Sequence, residues 1–330
     1  MKRTLSLLAA AFCVALLSDS ASAQLFSDPM ESGAGWGIVK PGGIGQADSS
    51  ATFGYDYSAD GIPEAPNSQG GDTATSGLKL TANDGDAGDI AAWLTLYPLG
   101  QSFTGKYQLR FDAWMNYSTF DTEQGGGAGT TEFLGGGIGY DGAADNVGLA
   151  GSGHQLIYTN EGGSGSDYRG FKGTLFIDGA DMAAGSRNAT CCGPTGQYES
   201  LFPDGSGVPP AVQGQTGVPN DNRPGSPGFQ WFTHIISVDG NEVRHQLVND
   251  SGLRRNILVY DTTVLDPGNV VPTDGNISIF YADFFSSISP SPAVTFGLVD
   301  NVIVSVPEPA TFALLGVSLV GLVAAGRKRR

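Results

Sequence analysis

Tyr107-Gln108-Leu109-Arg110-Phe111-Asp112-Ala113-Trp114-Met115-Asn116-Tyr117 alternates apolar and polar side chains along its whole length. Tyr107, Leu109, Phe111, Ala113, Met115 and Tyr117 fall on one parity; Gln108, Arg110, Asp112, Trp114 and Asn116 fall on the other. Successive side chains of a strand point to opposite faces, so the stretch predicts a strand with one buried face and one polar face. Working outward, strand-like runs recur at 52–57, 77–82, 91–97, 131–140, 154–158, 170–178, 229–239, 242–249, 256–260, 276–283 and 294–305. About a dozen strands joined by polar turns, with no convincing helical period between them, predict an all-β antiparallel sandwich. Asp239-Gly240, between two such runs, has the composition of a hairpin turn.

Composition agrees. The 330 residues include 50 Gly and 18 Pro, and aspartates outnumber glutamates. Asp, Gly and Pro favour turns over helix interiors. Thirty-three acids against 17 Lys and Arg give a net charge of −16. A chain this acidic is a poor partner for nucleic acid, which is held through clustered Lys and Arg. Residues 179–228 interrupt the strand pattern with Gly, Pro, Asn and Ser, and read as a loop insertion within one domain spanning 24–305.

The two ends carry a different message. Lys2 and Arg3 precede an apolar run from 5 to 17, followed by Ala21-Ser22-Ala23. That order is a secretory signal peptide over residues 1–23, with cleavage between Ala23 and Gln24. At the other end Val306-Pro307-Glu308-Pro309 leads into an apolar stretch over 310–326 and then Arg327-Lys328-Arg329-Arg330. The two prolines hold the spacer extended. An apolar stretch of about 17 residues is just long enough to span a bilayer as one transmembrane helix, and the terminal cations stop it on the cytoplasmic side. This tripartite tail resembles a PEP-CTERM sorting signal. The resemblance implies an exosortase-type processing enzyme as partner and membrane anchoring through the tail before processing. The final location would then be the cell envelope, the outer surface or the medium.

The first and last segments of the body carry a second resemblance. Leu25-Phe26-Ser27-Asp28-Pro29-Met30-Glu31-Ser32 opens it, and Val294 to Val304, with Asp300-Asn301-Val302 inside, closes it. An acidic opening strand beside a final strand of this kind is similar to jelly-roll sandwiches of the concanavalin-like lectin and carbohydrate-binding-module type. The resemblance implies adjacent first and last strands and a structural calcium. Val294, Phe296, Leu298, Val302 and Val304 share a parity with Asp300, and a carboxylate among apolar neighbours needs a metal or a hydrogen-bonding partner. Asp28, Glu31 and Asp300 are therefore candidate calcium ligands; the alternative is that Asp300 pairs with an arginine or a backbone amide. Asn83 to Asp89 is a second acidic knot, without the glutamate an EF-hand loop requires, and reads as a solvated turn.

Catalytic signatures are missing from the sequence. No HExxH, GxSxG or P-loop run occurs, and His234 and His245 share parity with apolar neighbours, which reads as core. A jelly-roll glycoside hydrolase would need a pair of carboxylates that none of the glutamates supplies. Cys191 and Cys192 are adjacent, leaving a vicinal disulfide, an intermolecular bridge or free thiols as alternatives. Trp114, with Arg110, Asp112 and Asn116 on its own face, is a candidate sugar-stacking platform, unless an outer layer or the long insertion covers it. The resulting expectation is an exported, non-enzymatic surface or matrix protein that associates with extracellular polysaccharide; the rivals are a structural adhesin without a sugar site and the hydrolase.

Overall fold

The computed structural model describes residues 23–40, 48–68, 75–83, 91–119, 132–143, 151–159, 168–177, 200–215, 224–283 and 291–307. The expected signal peptide up to residue 22, Asp84 to Asp89, Cys191, Cys192 and the tail from Glu308 onward lie outside them. Among the described residues fifteen strands form two antiparallel sheets. In chain order they are β1 (Ala23–Asp28), β2 (Trp36–Val39), β3 (Ser49–Asp56), β4 (Ser76–Ala82), β5 (Ala92–Pro98), β6 (Tyr107–Asn116), β7 (Glu132–Tyr140) and β8 (His154–Thr159). They continue with β9 (Tyr168–Lys172), β10 (Leu175–Ile177), β11 (Phe232–Asp239), β12 (Glu242–Asn249), β13 (Arg254–Asp261), β14 (Asn276–Asp283) and β15 (Phe296–Val306).

One sheet runs β13-β12-β11-β6-β15-β4-β3, with β1 also on β15; the other runs β10-β9-β8-β7-β14-β5-β2. The chain is therefore an all-β antiparallel sandwich of two sheets. Every expected strand exists, although the run at 170–178 is two strands folded back at Gly173, and β2 was not foreseen. β11 and β12 pair directly up to Asp239↔Glu242, with Gly240 in the turn at φ 63°.

The core lies between the sheets and is built as the alternation of β6 requires. Tyr107, Leu109, Phe111, Ala113 and Met115 are fully buried and meet Leu134, Ile138, Leu156, Tyr158, Ile277, Ile279 and Tyr281 from the opposite sheet. Tyr117, expected on this face, lies past the strand end and packs elsewhere. At Gly136 the sheets approach closely: a Cβ there would stand 2.7 Å from the Phe111 ring. Fully burying side chains of this size contributes about 1.5–3 kcal/mol each, which makes this layer the main stabilising element.

β15 is the keel of the larger sheet. It pairs with β6 along one side; on the other, Gly297 to Val299 pair with β4 and Val302 to Val306 pair with β1. The changeover falls at Asp300-Asn301, where the register slips and Asn301 adopts φ 54°. This bulge reverses the parity of the strand. Before it Phe296 and Leu298 point outward and Val299 inward; after it Val302 and Val304 point inward. The expectation of one continuous apolar face through Asp300 is thereby corrected. Beyond the described helical turns no helix is long and apolar enough to cross a membrane among the described residues.

Candidate functional site

The outer face of the larger sheet holds both groups of residues singled out above. Asp112 on β6 and Asp300 on β15 are directly opposed across the strands. Both are completely buried, because the segment 57–68 crosses over them. That segment starts as a 3-10 turn, Tyr57–Asp60, capped by Asp56, whose Oδ1 accepts from the Ser58 backbone N–H at 3.0 Å.

Asp112 is held by four donors. Asn67 donates its backbone N–H at 3.0 Å and its Nδ2 at 2.6 Å; Thr233 Oγ1 donates at 2.7 Å and Asn301 Nδ2 at 3.0 Å. Burial raises the Asp112 pKa above the ordinary carboxylate value, and the hydrogen bonds from Thr233, Asn67 and Asn301 pull against that rise. Asp300 Oδ2 accepts from the Tyr57 hydroxyl at 2.9 Å and Oδ1 from the Asn301 backbone N–H at 2.7 Å. The Tyr57 hydroxyl in turn accepts from the Ala65 N–H at 3.3 Å. A buried carboxylate satisfied by N–H and O–H donors is a structural clamp, since the same lone pairs cannot also face a cation.

Trp114 lies in the same covered region, 4 % exposed. Its ring meets Trp231 edge-on at 5.8 Å, and Trp231 meets Tyr57 at 5.3 Å. Phe229, Ile62, Ala65, Tyr117, Phe296 and Leu298 complete this outer cluster. Asn116 accepts from the Trp114 indole at 3.3 Å and donates to Gln213 Oε1 at 3.0 Å and Val294 O at 2.6 Å. The expectation of an open indole with Asp112 and Asn116 beside it is corrected: two covering segments, 57–68 and the end of the long insertion, close over it. Of the four residues proposed for sugar, only Arg110 remains partly exposed. The insertion is no mere excursion either, since Leu201 and Phe202 join the inter-sheet core.

The calcium grouping fails on geometry. Asp28 is opposite Val302, which faces the inter-sheet core, and Asp28 accepts from Trp36 Nε1 at 3.0 Å and the Met30 N–H at 2.7 Å. Asp300 faces the outer cluster. The bulge thus sends the two carboxylates to opposite sides of one sheet, and Glu31 lies in the loop that follows β1. Among the described residues no group of three or more His, Cys, Asp or Glu could hold a metal ion. The residues at this place do not fit calcium; Asp300 takes a backbone amide, as the simpler alternative held, together with a tyrosine hydroxyl that sequence alone did not disclose.

All three histidines are buried in the core. His154 Nδ1 lies 2.7 Å from the Tyr260 hydroxyl and Nε2 lies 3.2 Å from Val271 O. His234 Nδ1 lies 3.4 Å from the Tyr158 hydroxyl, and its Nε2 lies 3.4 Å from His245 Nδ1. Burial pulls His154 down to about 4 and His234 to about 3. His245 is held well below the usual value by burial first and then by the other two rings. Neutral, enclosed imidazoles of this kind pack the core and do not reach a substrate.

The geometry defines a β-sandwich whose central outer face is sealed by its own loops, and whose last strand runs directly into the tail. Residues 305–330 match the PEP-CTERM protein-sorting motif, so the chain carries that sorting signal. In the sheet Ala23 pairs with Val306, which sets the expected leader cleavage point beside the start of the motif. Comparison with curated proteins finds no match. Among solved structures the chain is similar to the exoplasmic/lumenal domain of VIP36 in a Ca2+/Man3GlcNAc-bound form, at 7% identity and TM-score 0.42, covering 84% of this chain and 86% of that one. Peanut lectin with a nine-residue peptide aligns at 8% identity and TM-score 0.41, covering 85% and 96%. Lectin II from Ulex europaeus aligns at 6% identity and TM-score 0.40, covering 86% and 99%.

Proposed function

We propose that this chain is an exported, non-enzymatic envelope or matrix protein, sorted by an exosortase-type system, that associates with polysaccharide outside the cell. The observation that carries the reading is the sorting motif at 305–330, which begins on the last strand of the sandwich. The antiparallel pairing of β1 with β15 is consistent with a jelly-roll arrangement of the two sheets and sets Ala23 beside Val306. A non-enzymatic role is supported by the sealing of Asp112 and Asp300, whose oxygens accept from protein donors, and by the enclosure of the three histidines.

The test is localisation. The full chain, expressed in a Gram-negative host that has an exosortase, is expected in the envelope fraction and the medium, shortened at both ends. Replacing Pro307, Glu308 and Pro309 by alanine is expected to leave a longer, membrane-retained species. Identical processing of both forms, or a full-length protein in the cytosol, would count against the reading. Retention of the exported protein on a panel of immobilised polysaccharides tests the binding part separately.

A further inference from the structure

The last strand hands the chain to its tail at one end of the sandwich, and two crossovers close that end. Residues 99–106 pass from the end of β5 to the start of β6, and residues 262–275 from the end of β13 to the start of β14. The register puts both at the Val306 end of β15: Gln108 opposes Ser305, Tyr107 opposes Val238, Asp239 opposes Glu242, and Glu242 opposes Asp261. The crossovers are joined to each other. Phe103 and Gly275 exchange backbone hydrogen bonds, the Gly105 N–H donates to Asp274 at 3.0 Å, and the Tyr107 hydroxyl donates to Thr273 O at 2.6 Å.

This closure displays aliphatic side chains to the outside. Leu99 is 51 % exposed, Val264 74 % and Val270 86 %; Leu25, on β1 next to the Gln24–Ser305 pair, is 47 % exposed. They are four of the seven large hydrophobic residues exposed among the described residues, so such exposure is concentrated at this end. The display is fixed by buried groups. Lys172 donates to the carbonyls of Thr262, Leu265 and Asp266 on either side of Val264, and His154 Nε2 lies 3.2 Å from Val271 O, beside Val270. Apolar groups held in water at set positions gain free energy when another surface covers them.

We propose that this end of the sandwich is a membrane-contact face, and that Leu25, Leu99, Val264 and Val270 rest on the lipid bilayer that holds the tail. This rests on the reading of the tail as a membrane anchor and adds a second contact made by the folded body. The course of the chain selects the occupant. β15 ends at Val306 and the apolar stretch begins at 310, so four extended residue steps, at most about 14 Å, separate the sheet from the bilayer. The end that carries the exposed side chains is the end held against the lipid. Once tethered, the face needs little affinity of its own, because the tail keeps its local concentration high. The contact is apolar and not electrostatic. Asp239, Glu242, Asp261, Asp266 and Asp274 lie at the same end, with Lys106 paired to the first and Arg244 to the second. A zwitterionic bilayer therefore suits the face, and an anionic one repels it.

The test uses the exported, tail-bearing protein, purified from a host without an exosortase and reconstituted into phosphatidylcholine vesicles. With Cys191 and Cys192 replaced by serine, an environment-sensitive fluorophore is attached at Val270→Cys or at Leu99→Cys. A third label, at Val212→Cys, sits at the other end of β6, where Gln213 bonds to Asn116. Flotation with the vesicles reports that the tail has inserted. The labels at 270 and 99 are expected to shift to the blue and to be quenched by lipid carrying a spin label near the headgroup, while the label at 212 stays aqueous. Val264→Asp in the protein labelled at 270 is expected to reverse that shift without lowering the melting temperature, since the side chain is exposed. Labels on two separate crossovers keep the test valid should one variant misfold. Failure to float overturns the anchor reading and this face with it; floating protein whose labels at 270 and 99 stay aqueous overturns the face alone. A shift that requires anionic lipid and disappears in salt would overturn the apolar assignment. A shift that grows with the number of protein molecules per vesicle would overturn it by identifying a second copy of the chain as the occupant.

Discussion

Long-range hydrogen bonds from three separate segments converge on Asp112. It ties β6 to β11 through Thr233, to β15 through Asn301 and to the covering segment through Asn67. Asp112→Ala leaves buried donors on all three without an acceptor, at about 1–3 kcal/mol for each group left unpaired. A loss of at least about 3 kcal/mol in urea unfolding is expected; a loss below about 1 kcal/mol would mean the segment simply swings out to water. Asp300→Asn is expected to lower the melting temperature by the same amount in calcium and in EDTA, because its partners are Tyr57 and a backbone amide. The sequence singled out Asp300 as a carboxylate in need of a partner, whereas it placed Asp112 on an open polar face, and the structure buries it. It did not disclose Tyr57 or Asn67, which are separated from them by 243 and 45 residues. The one local clue was Asn301 itself, a residue type that tolerates the left-handed backbone of a bulge.

The histidines give a pH prediction at the same scale. Their folded pKa values lie below the unfolded value of about 6.5, so the unfolded chain takes up protons first as pH falls. Their stabilising contribution is complete above pH 6.5 and is lost as pH falls toward 4. Each costs about 1.4 kcal/mol per pH unit in that window. Asp112 acts with the opposite sign, since its raised pKa favours the folded state on protonation, but it is one group against three. Stability from urea titrations is therefore expected to fall by roughly 3 kcal/mol per unit between pH 6 and 5; a flat profile would require the rings to be hydrated.

Among the elements, the β9–β10 edge depends on Lys172. Its ammonium is fully buried and donates to three carbonyls of the loop after β13, Thr262 at 2.8 Å, Leu265 at 2.6 Å and Asp266 at 3.0 Å. It ties the edge of one sheet to the edge of the other. Lys172→Met keeps the volume but strands those carbonyls, and about 2–4 kcal/mol should be lost. Faster amide exchange is expected in β9, β10 and residues 262–266 while β6 and β14 stay protected; uniform exchange would refute a local staple. Gly136 lets the sheets approach closely, and Gly136→Val is expected to cost about 1–3 kcal/mol by driving a side chain against Phe111. Strand identity was legible from alternation almost everywhere. The exceptions are instructive: β2 is only four residues long and β10 three, too short for a period to show.

For the whole molecule, the amino-acid sequence alone determined that the chain is an acidic, turn-rich β protein, and that the inward parity of β6 builds the core. It determined too that residues 305–330 form a sorting signal, because each of these follows from composition or from residues a few positions apart. Only the tertiary structure decided what covers the outward parity. Alternation tells which side of a strand is polar, but not whether a loop from elsewhere in the chain closes over it; here two loops seal Trp114 and Asp112 and leave Arg110 partly exposed. The bulge at Asp300-Asn301 was decided there as well, because one slipped register turns every later side chain of β15 to the other face.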